Sequence, residues 1–283
     1  MKFKANHLQT DFIFIILLLI LPSKDLIAGA WPQQKGTGYY KADFRYLSAK
    51  KIYTSDGEKV AIPDFTNMTV GVAGFYGFTD NLTFILNATV YNSVKLDTPS
   101  TAVGFDTDVQ GFGDIIVGAK YGLAKFGKSI VSAKLLLNLP TGISSPDGGL
   151  WTGYGDYYQT IGLEYGYSLW PITGYLNAAV SYTNHTQGFS DLFNYGIEGG
   201  YTFIKNLSLI LRLHGQLSID NGNPDVLGGF GVFSNNQQFI AYNIALAYKF
   251  TNNFGVKGYY EGGGAGKNII SAPVFNVGVF FTN

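Results

Sequence analysis

Thirteen titratable side chains recur at alternating positions of extended segments: Lys41, Asp43, Arg45, Asp114, Lys120, Lys134, Glu164, Glu198, Arg212, His214, Lys249, Lys257 and Glu261. Seven are basic, five are acidic and one is a histidine. Groups of both signs brought to one surface can pair and close a space, or stay hydrated and guide small solutes. The chain has three histidines, His7, His185 and His214, and because His7 leaves with the expected export signal, a histidine-based catalytic site can use only the other two. Glu164 or Glu198 could serve His214, but no signature orders a nucleophile, base and acid, so His214 reads first as an ordinary inward residue. The run Asp220-Asn221-Gly222-Asn223-Pro224-Asp225 has the composition of a calcium loop, yet its third position is Gly and no bidentate Glu follows at the needed spacing. It reads as a turn cluster, and no metal or other cofactor is expected. Gly262 to Gly266 lacks the strand-to-helix setting of a phosphate loop and is expected to form a tight connection.

The spacing of the charges specifies the elements that carry them. Ile240, Tyr242, Ile244, Leu246, Tyr248 and Phe250 alternate with Ala241, Asn243, Ala245, Ala247 and Lys249, and in a strand these two sets point to opposite sides of the sheet. Leu207, Leu209, Leu211 and Leu213 oppose Ser208, Arg212, His214 and Gln216 in the same way. Twelve such segments are expected, at 38–54, 65–78, 82–94, 112–124, 128–139, 156–169, 171–184, 190–203, 206–218, 237–250, 253–262 and 269–282. No stretch asks for a helix, and none beyond residue 30 has the ~20 consecutive apolar residues of a membrane-spanning one.

The connections alternate in length. Short turns are expected at 79–81, 125–127, 170–171, 204–205 and 252–253. Longer loops are expected at 95–111, 140–155 and 219–236, with smaller ones at 55–64, 185–189 and 263–268. Each even-numbered segment ends on its short-turn side with an aromatic on the apolar face: Phe78, Tyr121, Tyr167, Tyr201 with Phe203, Tyr248 with Phe250, and Phe281. Aromatics at one level form an interfacial girdle, and short turns on one side with long loops on the other mark an outer-membrane barrel. The expected fold is therefore all-β, an antiparallel transmembrane β-barrel of about twelve strands with short periplasmic turns and longer extracellular loops. The charges must then face the lumen, because one aimed at the bilayer midplane costs ~2–4 kcal/mol. Hence all thirteen are candidate pore-lining residues.

Residues 1–30 read as a cleaved export signal. Lys2 and Lys4 give a positive start, Phe12 to Leu21 is apolar, and Ala28-Gly29-Ala30 supplies small residues before a cut ahead of Trp31. Residues 31–283 then form a single barrel domain in the outer membrane of a Gram-negative cell. Removing Lys2, Lys4, Lys24, Asp11 and Asp25 leaves a net charge near −1, which argues against a nucleic-acid partner; the near balance of the lining argues against strong ion selection, although its basic excess favours anions weakly. With no cysteine, there is no lipid-anchor thiol, disulfide or thiolate metal site. The sequons at Asn67, Asn81, Asn87, Asn184 and Asn206 read as turn and strand residues.

An apolar run, Val226 to Phe233, falls in an expected exterior loop, where water would not normally meet such a surface. It either packs on neighbouring loops with Trp151 and Phe105 or folds into the barrel mouth, and Trp151, Leu227, Phe230 and Phe233 are the candidate gate residues. The segments GFGDIIVGAKYGL at 111–123, LPTG at 139–142, TGYGDYYQTIGLEYGYSL at 152–169 and GYLNAAVSYTNHT at 174–186 resemble the family named for the MetA pathway of phenol degradation, which also contains channels like the amyloid-secretion barrel FapF. The resemblance implies a barrel that passes small, often hydrophobic or aromatic compounds or, in the FapF branch, exports protein subunits. Almost nothing precedes the first strand, so the helical plug of that branch is not expected, and the chain runs two residues past Phe281. The expected function is a passive channel for a small-molecule solute, gated by the three long loops, with outer-membrane lipid and the barrel-assembly machinery as partners. The alternatives are a sealed structural or adhesive barrel, a protein-export channel and a surface hydrolase using His214 or His185.

Overall fold

The computed structural model describes residues 29–145 and 148–283. The expected leader, through residue 28, lies outside the described residues. Alternating sequence becomes strand along almost the whole described chain: β1 Gly38–Tyr53, β2 Lys59–Gly77, β3 Leu82–Leu96, β4 Asp108–Gly111, β5 Ile115–Phe126, β6 Ser129–Leu139, β7 Tyr158–Ser168 and β8 Gly174–His185. There follow β9 Leu192–Ile204, β10 Leu207–Ser218, β11 Gly228–Gly229, β12 Phe233–Ser234, β13 Gln238–Lys249, β14 Phe254–Lys267, β15 Ile269–Ile270 and β16 Val274–Thr282. Among the described residues one short helix, α1, covers Ser100–Val103. No described helix is long and apolar enough to cross a membrane.

Twelve long strands pair antiparallel with their neighbours, and β1 bonds both β2 and β16. The sheet therefore closes and leaves no edge. Closure satisfies every strand's backbone within the wall, which is what a hydrocarbon surrounding demands. The short elements β4, β11, β12 and β15 belong to the long-loop end.

The exterior is apolar. Phe44, Val72, Leu86, Leu135, Leu163, Val180, Leu211, Ile244 and Val277 are all exposed, as only lipid-facing residues of this type can be without penalty. Phe78, Tyr121, Tyr167, Tyr201, Tyr248, Phe250 and Phe281 are exposed at the short-turn end and make the expected girdle.

The expected ends were too short at two hairpins. β2 starts at Lys59 and not near 65, and β14 runs through the glycine-rich stretch to Lys267 and not to 262. Pairing there continues beyond the apolar belt, where alternation no longer marks it. Gly262 to Gly266 is thus strand, with Gly264 the extra residue of a bulge between the Ile240–Ala265 and Ala241–Gly263 pairs. In the 95–111 segment, expected as a plain loop, α1 and β4 are formed. A bulge at Val90 resets parity in β3: Thr83 and Ile85 face inward before it, and Asn92, Val94 and Leu96 after it.

Candidate functional site: a two-chambered lumen

Because parity sends one side of every strand inward, the barrel wall itself builds the site. Two cavities occupy the interior. The one at the short-turn end, of about 790 Å³, is lined by Lys41, Lys120, Lys205, Lys249 and Lys257 against only Asp43 and Glu198, with Tyr39, Phe75, Tyr175 and Phe280. The other, at the long-loop end, is about 640 Å³ and is lined by Arg45, Asp114 and Glu261, by the amides Asn67, Asn92, Gln216 and Gln237, and by Tyr154, Tyr158, Phe233 and Phe239.

Pairing differs between these charges. In the lower chamber Lys41 Nζ donates to Asp43 Oδ2 at 2.6 Å. Glu198 Oε1 accepts from the Tyr175 hydroxyl at 2.6 Å. Glu164, nearly inaccessible, is held between Lys120 at 2.6 Å and Lys134 at 3.0 Å, forming a cation–anion–cation triad in the wall. Arg212 stands opposite Glu198 in the β9–β10 register and extends into lumen space. His214 Nε2 lies 3.1 Å from Glu261 Oε2, so its carboxylate partner is Glu261 and not Glu164 or Glu198, which the lysines and Tyr175 occupy.

Asp114 has a different task. Its carboxylate accepts from the backbone N–H of Gly142 at 3.1 Å, that of Tyr154 at 2.8 Å and the Asn138 amide at 3.1 Å. It therefore fixes both ends of the 140–157 loop to the wall.

That loop and the 219–237 loop fold into the mouth. Phe65 and Val94, both 0% exposed, anchor an apolar cluster with Leu47, Leu96, Leu150, Ile270 and Val274, and Phe105, Phe230 and Val232 pack on it. The Phe230 N–H donates to Gly149 O at 2.7 Å, and its ring lies 6.1 Å from that of Phe65. Trp151 is buried edge-on to Phe189 at 6.1 Å, and a side chain at Gly229 would collide with it. Phe233 sits edge-on to Tyr154 at 5.2 Å. The two sequence readings of the apolar run thus coincide: the loops pack on one another, and they do so inside the mouth. Leu227 is the exception, 76% exposed at the rim and outside this cluster.

Behind the cluster, His185 Nδ1 lies 2.7 Å from Asp156 Oδ2, with both side chains inaccessible. Burial by itself would raise the Asp156 pKa, but hydrogen bonds from His185 and Thr186 outweigh it and hold the carboxyl below the usual range. Asp191 is likewise held low against burial by the Tyr182 hydroxyl, the Asn221 amide and the His185 N–H. The Asp220–Asp225 run is a turn cluster, with Asn221 bonded to Asp191 at 2.8 Å and the Gly222 N–H to Ser190 Oγ at 2.9 Å. Burial and the charge of Asp114 push the Tyr154 hydroxyl up to about 12.

Sequence reasoning missed the residues before the first strand. Gly29 to Thr37 run within the lumen from the short-turn end: Lys120 Nζ donates to Gly29 O, Ser132 Oγ to Ala30 O at 2.6 Å, and the Gln33 N–H to Thr83 Oγ1 at 2.7 Å. It also missed Asp156 and Tyr154. Parity alone nominates Tyr175, and in the expected 156–169 strand it puts Asp156 and Tyr158 on the face of Glu164.

Comparison with known proteins follows the same architecture. An outer membrane channel from Pseudomonas putida F1 superposes with a TM-score of 0.72 at 16% identity, covering 92% of this chain and 100% of that one. The NanC porin superposes with a TM-score of 0.53 at 8% identity, covering 85% of this chain and 98% of that one. At these identities the likeness concerns the fold. No curated protein matches the sequence. The family described as "Putative MetA-pathway of phenol degradation" matches residues 54–272, most of the barrel, and this chain belongs to that family.

Proposed function

We propose that the chain is a passive outer-membrane channel for small molecules, exported by its leader and inserted into the bilayer by the barrel-assembly machinery. The observation that carries this reading is a closed barrel with an apolar exterior and two polar-lined chambers stacked along its axis. Nine of the thirteen inward titratable residues line the two chambers and act as the pathway's lining, while Glu164 with Lys134 braces the wall. Solute enters through the mouth when the 140–157 and 219–237 loops move, because their apolar cluster fills the entrance. Trp151, Phe230 and Phe233 are the gate side chains. Aromatic side chains in both chambers, together with the family's link to phenol degradation, favour small aromatic solutes over sugars.

Purified protein in planar bilayers conducts on this reading, and Glu198→Gln and Arg212→Gln change its ion preference. Absence of conductance, together with absence of solute uptake into liposomes, would overturn it. The filled mouth favours one other reading, a sealed barrel whose loops bind a partner. In that case even variants that break the loop cluster stay silent.

A further inference from the structure

We infer that export processing cuts between Ala28 and Gly29, so that Gly29 and Ala30 remain on the mature chain as the first residues of a strap fixed to the lumen wall. The inference rests on the export reading but not on conduction. Both this cut and one ahead of Trp31 follow a small residue; the A-x-A pattern of leader sites fits the second, since the first has Leu26 where the second has Ala28. The contacts of the folded wall point to the first.

Gly29 and Ala30 are built into the barrel. Ala30 has no exposed surface, and its carbonyl accepts from Ser132, which has none either. The Gly29 carbonyl accepts from Lys120, a buried lysine in the triad with Glu164. A cut ahead of Trp31 would take both carbonyls away and leave the Ser132 hydroxyl without that acceptor, a state that buried polar groups avoid. The wall is also notched for the strap. A Cβ at Gly166 would fall 2.3 Å from the Trp31 ring and 2.9 Å from Ala30 Cβ, one at Gly77 2.0 Å from Gln34 O, and one at Gly122 3.2 Å from the Pro32 ring. Inward glycines on β2, β5 and β7 thus open the groove in which the strap lies.

A third observation concerns the new terminus. Asn177 Oδ1 is buried without a hydrogen-bond partner and lies 3.7 Å from the place a Gly29 Cβ would take, with Nδ2 nearer at 3.0 Å. Asn177 pairs across β8–β9 with Glu198. Hydrolysis of the Ala28–Gly29 amide by the export pathway's leader peptidase consumes one water. It releases Ala28 as a carboxylate and leaves an ammonium on Gly29, a three-donor cation beside an unused acceptor and near a carboxylate.

The intact mass of protein extracted from outer membranes tests the cut. A chain starting at Gly29 is expected; a start at Trp31 overturns the inference while leaving export intact, and a start at Met1 overturns export as well. Processing variants read the same point before the barrel folds: Ala30→Leu should be processed normally, and accumulation of its precursor overturns the assignment, because Ala30 would then be the residue before the cut. The strap has its own test. In Gly166→Val, whose Cβ would fall 2.3 Å from the Trp31 ring, the strap is expected to be displaced and residues 29–37 to become open to added protease in folded, mature protein. Protection equal to the parent's would refute the strap.

Discussion

The two ends of the lumen are built by opposite means. At the short-turn end the strands and the β9–β10 turn hold five lysines against two carboxylates around a chamber that Gly29, Trp31 and Gln33 also line. At the long-loop end the lining carries one arginine against two carboxylates among amides and aromatics, and an apolar cluster covers it. Summed over the whole lining the charges nearly cancel, which is why composition argued against ion selection. Resolved along the axis they do not cancel. On the proposed channel reading, charge selection belongs to the lower wall and opening to the loops above, so that each can be altered without the other.

The largest effect should come from the lower wall. Glu164→Gln leaves Lys120 and Lys134 facing each other in a nearly inaccessible site. Stripping a buried cluster of its one counter-charge costs about 3–5 kcal/mol. The folded barrel should therefore unfold at markedly lower urea concentration in a detergent or vesicle titration, with the exterior loops unaffected until the wall itself gives way. A variant as stable as the parent would mean that water, and not Glu164, neutralises these lysines.

Phe230→Ala addresses the upper end. It removes a half-buried ring from the cluster around Phe65 at a cost of about 2 kcal/mol, enough to change the closed-to-open ratio of the loops up to roughly 30-fold. Single-channel recordings should show more frequent or longer openings with unchanged ion preference. If ion preference changes as well, the two ends are not separable in the way described.

How much of this could be read beforehand follows from which constraints act on single strands. Lipid imposes alternation on each strand separately, so all twelve strands and the aromatics at their short-turn ends were legible, Phe78 and Tyr248 among them. The distribution of charge along the axis was not, because it depends on register. Arg45 and Lys41 are four residues apart on β1, yet they line different chambers. Bulges such as that at Val90 shift levels again without leaving a trace in composition. Residues 29–37 have neither alternation nor length, and what betrays them is the inward glycines at 77, 122 and 166, which make sense only once their neighbours are known. Asp156 was passed over because its partner His185 is distant in sequence and joined to it only by the β7–β8 pairing.

A smaller effect separates the chambers by charge. Lys257→Glu turns the lower lining from five lysines against two carboxylates to four against three. The anion-to-cation permeability ratio, read as a reversal potential in a salt gradient, should fall several-fold, because a charge in a confined, weakly screened site is felt by every passing ion. Arg45→Met, in the upper chamber, should move it less. Equal shifts from both would place selection along the whole path.

The smallest effect is expected from acid, and it should be confined to the upper end. The Asp156 and Asp191 carboxyls sit below the ordinary unfolded value of ~3.9, held there by bonds that exist only when the loops are folded. Such depressed groups contribute stability that is fully present above the unfolded value and is lost as pH falls through the folded one. Between pH 7 and 5 they contribute a constant amount. Below about pH 4 protonation removes acceptors from the Thr186 and Gln187 N–H groups on one side and from the His185 N–H and Asn221 amide on the other. The connection between β8 and β9 should then loosen while the strands stay paired. Limited digestion by an acid-active protease across this range should cut within 186–191 before any strand is lost, and Asp156→Asn should move the onset toward neutral pH. Digestion that begins at the short turns instead would reverse the assignment of rigid and mobile ends.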